Sequence, residues 1–246
     1  EKAQKRSVDH AAEILDIESR RLKSFSSSLT VDSKSLIEFE NDFPFTPTPD
    51  QISAFKSIKK DLSLIKPMNR VLCGDVGFGK TEVAMKAAFV SVSSNKQVIV
   101  ITPSTILCDQ HYDSFLKRYI NFGVTVKKLN RFVSAIDKNN IINEFNLGNI
   151  DILISTHIIF NNNINFMNVG LLIIDEEHKF GIKQKNYIKD KQENIHILFL
   201  SATPIPRTMN MVFSGLKDFS FLQTAPSNRL SIKSFLKVQS ILLIKE

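Results

Sequence analysis

The sequence predicts an α/β fold, a mostly parallel sheet flanked by helices, and three observations predict it. Short apolar, β-branched runs at 70–74, 97–102, 124–128, 151–155, 170–174 and 196–200 alternate with stretches of helical pattern. The first of these runs opens into a glycine loop that starts a helix. The other conspicuous motifs also fall at the carboxyl ends of the runs, where an open α/β sheet gathers its ligand groups.

In chain order, residues 2–23 read as a long exposed helix with Val8, Ala11, Ala12, Leu15 and Leu22 on one stripe. The Ser-rich stretch from Ser24 to Ser33 breaks it, which sets this first helix outside the compact domain. The Pro-rich segment Phe43-Pro-Phe-Thr-Pro-Thr-Pro49 leads into a helix capped at Thr48. There Thr48-Pro-Asp-Gln51 fits a capping box with Pro49 at the first helical position. Its apolar stripe, Ile52, Phe55, Leu62 and Ile65, carries the helix to Pro67. Further helices are expected over 82–90, with Val83, Ala87 and Val90 facing the core, and over 105–119, 134–146 and 181–190. No internal repeat is visible.

At 246 residues and 43% hydrophobic content, the chain has ample material for a core and reads as one large domain, or one domain with appendages. Two cysteines, Cys73 and Cys108, are too few for a disulfide scaffold and suit a reducing, cytoplasmic setting. No apolar run approaches membrane-spanning length, so no membrane partner is expected. The chain starts at Glu1 and stops in the strand-like Ser240–Glu246, and we expect it to be part of a longer polypeptide. A net charge of +7 permits a polyanionic partner. The lysines are spread widely, however, and the one concentration (Lys179, Lys183, Lys185, Lys189, Lys191) taken alone reads as a solvated helix face.

The glycine loop carries the clearest chemistry. Gly74, Asp75, Val76, Gly77, Phe78, Gly79, Lys80 and Thr81 spell G-x-x-x-x-G-K-T between a buried strand and a helix, the context a phosphate-binding loop requires. The glycines let backbone N–H groups converge on phosphate oxygens at a helix N-terminus. Lys80 brings a charge to the β/γ-phosphates and Thr81 a hydroxyl ligand for Mg²⁺, so ATP with Mg²⁺ is the expected cofactor. The apolar strand Val169–Ile174 ends in Asp175-Glu176-Glu177-His178. Asp175 is placed to hold the water shell of Mg²⁺, and Glu176 to orient and deprotonate an attacking water. The bland alternative is a turn with acidic capping residues. The five histidines show no metal-ligand spacing.

Asp175-Glu-Glu-His178, with Ser201-Ala-Thr-Pro-Ile-Pro-Arg207-Thr208 further on, resembles the superfamily-two helicases and translocases over about residues 43–236. Within them the chain is similar to the branch of transcription-repair coupling factors and branched-DNA helicases. Phe43-Pro-Phe45, Thr48–Gln51, Gly74–Ala84, Arg131-Phe132, the third-position Glu177 and Ser214–Phe219 favour the coupling-factor side. The resemblance implies a RecA-like lobe over 41–228, an N-terminal helical linker over 1–40, and at 229–246 the start of a connection to a second lobe. It implies that Gln51 bonds the adenine edge with Phe43 or Phe45 nearby, although the capping box competes for the same amide. It places DNA phosphates against Thr102, Ser104 and Thr105 at a helix start, with help from Gln110 and His111, and against Arg131, Thr156 and His157. Helix capping and ordinary surface roles are the alternatives for each of these residues. It makes His178 a link to Ser201 or Thr203 that, with Arg207, couples the γ-phosphate to DNA. The implied partners are double-stranded DNA and, through domains outside these residues, RNA polymerase and an excision-repair protein. A branched-DNA helicase, and a nucleotide-gated DNA-binding module without turnover, stay open beside that reading.

Overall fold

A computed structural model describes residues 19, 23–161, 163–181, 184, 187, 188, 194–202 and 217–227. Seven parallel strands form one sheet, β1 (Asn69–Gly74), β2 (Gln97–Ile101), β3 (Val126–Leu129), β4 (Ile152–Ser155), β5 (Val169–Asp175), β6 (His196–Ser201) and β7 (Asp218–Leu222). Their order across the sheet is β3-β4-β2-β5-β6-β1-β7. All registers are parallel. Helices cover both faces, so β1, β2, β4 and β5 are buried along their whole length and read as continuous apolar runs rather than alternating ones.

The helices are α1 (Ser33–Asn41), α2 (Pro49–Leu62), α3 (Lys80–Ser93), α4 (Thr105–Tyr119) and α5 (Ala135–Asn146). One core lies under α1 to α4 and includes Leu36, Phe39, Phe55, Ile58, Ala87, Val90, Phe115 and Tyr119 against Leu72, Val98, Val100 and Ile173. The other lies across the sheet, where Phe145, Ile150, Ile159 and Phe180 pack on Ile99, Ile101, Leu172, Ile174 and Phe199. Among the described residues no helix is long and apolar enough to cross a membrane.

The expected strands form with small shifts at their ends, and three features differ from the sequence reading. Helix α1 and the segment before it, assigned above to the linker, pack on the body. Leu29, Leu36 and Phe39 are core residues, and Phe39 stacks on Phe89 with ring centroids 4.1 Å apart. The Ser-rich stretch is held by backbone bonds from Ser26 N to Ile65 O (2.7 Å) and from Leu29 N to Leu62 O (2.8 Å). The stretch is therefore a docked strip held by its backbone, and it presents little periodic apolar signal. Helix α2 ends at Leu62 and buries Ala54, Phe55, Ile58 and Leu62, while Ile52 and Ile65 of the expected stripe are exposed. Strand β7 went unpredicted because it buries the polar Ser220, whose hydroxyl accepts from Arg70 Nη1 at 3.0 Å. A polar inward position erases the alternation that marks a half-buried strand. Of the helix expected over 181–190, residues 184, 187 and 188 are described and helical. The helix expected over 2–23 lies outside the described residues except for residues 19 and 23, both helical.

Candidate functional site

The motif residues converge on the carboxyl edge of the sheet. Strand β1 runs into the loop 75–79 and α3, β2 into Thr102–Ser104 and α4, and β4 into a 3₁₀ turn at His157–Asn161. Asp175 is the last residue of β5, and Ser201 the last of β6, the strand lying between β5 and β1. The glycine loop and the acidic pair therefore flank a single strand.

Within the loop, Gly77 (φ 82°) and Gly79 (φ 81°) are left-handed, a conformation that side chains resist. Gly74 is needed for a different reason. A Cβ there would lie 2.8 Å from the Leu222 Cβ of the neighbouring β7. Lys80 Nζ is folded onto the loop, donating to the carbonyls of Gly74 (2.5 Å) and Asp75 (3.1 Å). Burial pushes its pKa down, against the upward pull of Glu176 and Asp175. The same burial pushes the adjoining Cys73 thiol up. The Thr81 side chain is half-buried at the first turn of α3.

Gln51 forms the capping box and, with the same side chain, reaches the phosphate loop. Its Oε1 accepts from Thr48 N (3.1 Å), completing the capping box, while its Nε2 donates to the Phe78 carbonyl of the loop (2.8 Å). The two ends of one amide thus tie the start of α2 to the phosphate loop, and one N–H and one lone pair remain for a further ligand. Phe43 and Phe45 meet edge to face at 5.5 Å, Phe45 being exposed.

The acidic pair is split by geometry. Asp175 is buried, and its Oδ2 lies 3.0 Å from His111 Nε2. Glu176 sits at φ 52°, ψ 56°, a strained conformation for a non-glycine residue. One contact with β6 and one with the residue that follows it hold it there. Its N–H donates to the Leu200 carbonyl (2.9 Å), and its Oε1 accepts from Ala202 N (3.0 Å). Its Oε2 is buried without a hydrogen-bond partner among the described residues, although His178 Nδ1 lies 3.1 Å away. An ion pair there depends on His178 being protonated.

The chain as a whole is similar to known proteins. The DEAD/DEAH box helicase model matches residues 48–212. The chain belongs to that family. Two curated relatives named transcription-repair-coupling factor are 44% identical over the whole chain (Escherichia coli strain K12) and 45% identical over 99% of it (Borreliella burgdorferi). This helicase chain spans about a fifth of the length of each. A solved structure of RecG bound to a three-way DNA junction is 33% identical, with a TM-score of 0.77, over 88% of this chain and 29% of that one. The Hef helicase domain of Pyrococcus furiosus shares the fold at 19% identity and a TM-score of 0.55, over 73% of this chain and 39% of that one. The architecture is accordingly a RecA-like helicase lobe.

In this helicase lobe the remaining expected residues divide. Ser104 is exposed and caps α4 by accepting from Leu107 N (3.3 Å), with Thr105 half-buried beside it. Arg131 and His157 are exposed, and the Arg131 guanidinium lies 4.8 Å from the Phe132 ring centre. Thr102 and Thr156 differ from expectation, for both are buried. The Thr102 hydroxyl donates to the Ser104 carbonyl (3.2 Å), so it shapes the turn before α4 instead of facing solvent. His111 is buried as well and turns toward Asp175, away from a DNA-contacting role. Its position was legible in principle, since Cys108, His111, Phe115 and Tyr119 share the inner face of α4. Thr203 and Arg207 lie outside the described residues, as do Lys183, Lys185, Lys189 and Lys191.

The sequence reading also missed a buried charge cluster behind the loop. Arg118 of α4 donates through Nε and Nη2 to Glu82, the residue after Thr81, at 3.1–3.3 Å. It also donates to Asp42 (3.1 Å) and to the Phe39 carbonyl (2.6 Å). Burial raises the Glu82 pKa, and the Arg118 bonds oppose the rise.

Proposed function

We propose that this chain is the ATP-binding motor lobe of a double-stranded DNA translocase that couples transcription to excision repair by displacing stalled RNA polymerase. The observation that carries the reading is the placement of Lys80–Thr81 and Asp175–Glu176 on either side of β6, at one sheet edge. Bound ATP would lay its phosphates along the left-handed glycines, with Lys80 exchanging two loop carbonyls for phosphate oxygens. The residues present fit Mg²⁺, which keeps several of its waters and needs few protein ligands. Among the described residues no cluster of three or more His, Cys, Asp or Glu side chains is placed to hold a metal, and in this reading Thr81 at the start of α3 and Asp175 at the end of β5 would meet a hydrated ion. Mg²⁺ would neutralise charge developing on the phosphates. Oε2 of Glu176, which has no hydrogen-bond partner among the described residues and lies 3.1 Å from His178 Nδ1, would take a proton from an attacking water.

Names of the relatives support the transcription-repair role at 40–45% identity. DNA, RNA polymerase and the repair protein are proposed partners, the last two through other parts of a longer protein. The likeness to RecG favours a second reading, a branched-DNA helicase of the same chemistry. In the full-length protein, we expect displacement of a stalled RNA polymerase, with Glu176→Gln keeping ATP binding and stopping hydrolysis. Unwinding of three-way junctions without polymerase displacement would overturn the first reading in favour of the second. Wild-type turnover by Glu176→Gln would remove that residue from its role.

A further inference from the structure

We propose that His111 is a positioning residue for the metal site, fixing the Asp175 carboxylate through its Nε2–H; this rests on the magnesium reading of Asp175 given above. The two side chains come from separate elements, the middle of α4 and the end of β5, and meet at 3.0 Å with both residues less than a tenth exposed. Because a carboxylate oxygen is the acceptor, the proton of this bond sits on Nε2. The other ring nitrogen, Nδ1, is buried with no hydrogen-bond partner among the described residues. Leaving a buried polar atom unpaired is unfavourable, and a purely structural histidine would find a partner for both nitrogens, as His196 does here with Met68 N and the Ser27 carbonyl. The surroundings of His111 are thus arranged around the one bond to Asp175.

That bond occupies Oδ2 and leaves Oδ1 to the water shell of the ion. It also joins the metal carboxylate to the helix whose first turn holds Ser104 and Thr105, seven and six residues earlier on α4. A shift of α4 along its axis would be felt at the metal carboxylate through one hydrogen bond.

The test reads Mg²⁺ dependence rather than turnover. Binding of a fluorescent ATP analogue to the chain is titrated with Mg²⁺, and repeated in EDTA. Loss of such an outer partner typically weakens metal binding by 10- to 100-fold, so His111→Ala is expected to raise the Mg²⁺ midpoint by about 10-fold with binding in EDTA unchanged. His111→Gln carries an amide nitrogen at nearly the reach of Nε2 and is expected to restore the midpoint. His111→Asn, whose amide overlaps Nδ1 and stops short of Asp175, is expected to behave like alanine, and it keeps the test open should the alanine variant not fold. Asp175→Asn must shift the midpoint on its own. If it does and His111→Ala or His111→Asn does not, the positioning role is overturned. It is equally overturned if glutamine does no better than asparagine. If Asp175→Asn leaves the midpoint unmoved, the magnesium reading itself falls.

Discussion

Gly79 shows how much a single atom can carry at the residue scale. Its φ of 81° lies in the left-handed region, and a Cβ there would collide with Gln51 Nε2, the group that ties α2 to the loop. Holding an alanine in that conformation costs about 1–2 kcal/mol. Gly79→Ala should therefore lower the unfolding free energy by that margin, with a matching fall in the urea midpoint, and weaken binding of a fluorescent ATP analogue. A variant with wild-type midpoint and affinity would show that the loop relaxes around the methyl group. These loop residues were legible from sequence because their chemistry is local, a fixed spacing of glycines between a strand and a helix. The orientation of Thr102 and Thr156 was not. Each is a polar residue turned inward, and its direction depends on which face of a packed element it occupies.

Between elements, the docking of α1 and its flanking strip is the main feature that periodicity could not disclose. The segment is short, rich in serine and anchored by polar bonds to partners far away in sequence, Ser63, Ser94 and His196 among them. Two consequences can be measured. Arg118 is buried among Glu82, Asp42 and the Phe39 carbonyl, with its guanidinium 3.8 Å from the Phe39 ring centre. Removing one partner of such a group leaves a buried charge uncompensated, and Arg118→Met should destabilise the chain by about 3–5 kcal/mol in urea unfolding. Adding Glu82→Met should recover a large part of the loss, and strict additivity of the two would refute the coupling. His196 binds the Ser27 carbonyl on one side and Met68 N on the other, and burial lowers its pKa below the ordinary value of 6.5. The folded state thus prefers the neutral ring. Its stabilisation is complete above pH 6.5, where unfolded histidine is also neutral, and is lost as pH falls through the lowered folded value. The melting temperature should drop over that window, and His196→Gln should flatten the drop. An unchanged profile in the glutamine variant would assign the pH dependence elsewhere.

For the molecule as a whole, sheet order converts a linear set of motifs into one edge. Loop, acidic pair and the start of α4 are spread over residues 74–177, yet the parallel arrangement points every strand end the same way. That much followed from the alternation of strand and helix patterns, whereas the position of β6 between the two halves of the site needed coordinates. The same edge leaves Ser104, Arg131 and His157 accessible, and under the proposed function they would meet the phosphate backbone rather than base edges. With a net charge of +7, duplex binding should be independent of sequence and governed by counterion release. Fluorescence anisotropy with two unrelated duplexes, from roughly 50 to 200 mM salt, should give coincident curves with a steep negative slope in log affinity against log salt. Each cation that contacts a phosphate contributes about one unit to that slope, so Arg131→Ala should flatten it by about one. An unchanged slope would place Arg131 off the DNA path and leave its stacking on Phe132 as its whole role, while a clear preference between the duplexes would mean that side chains at this edge reach base edges after all.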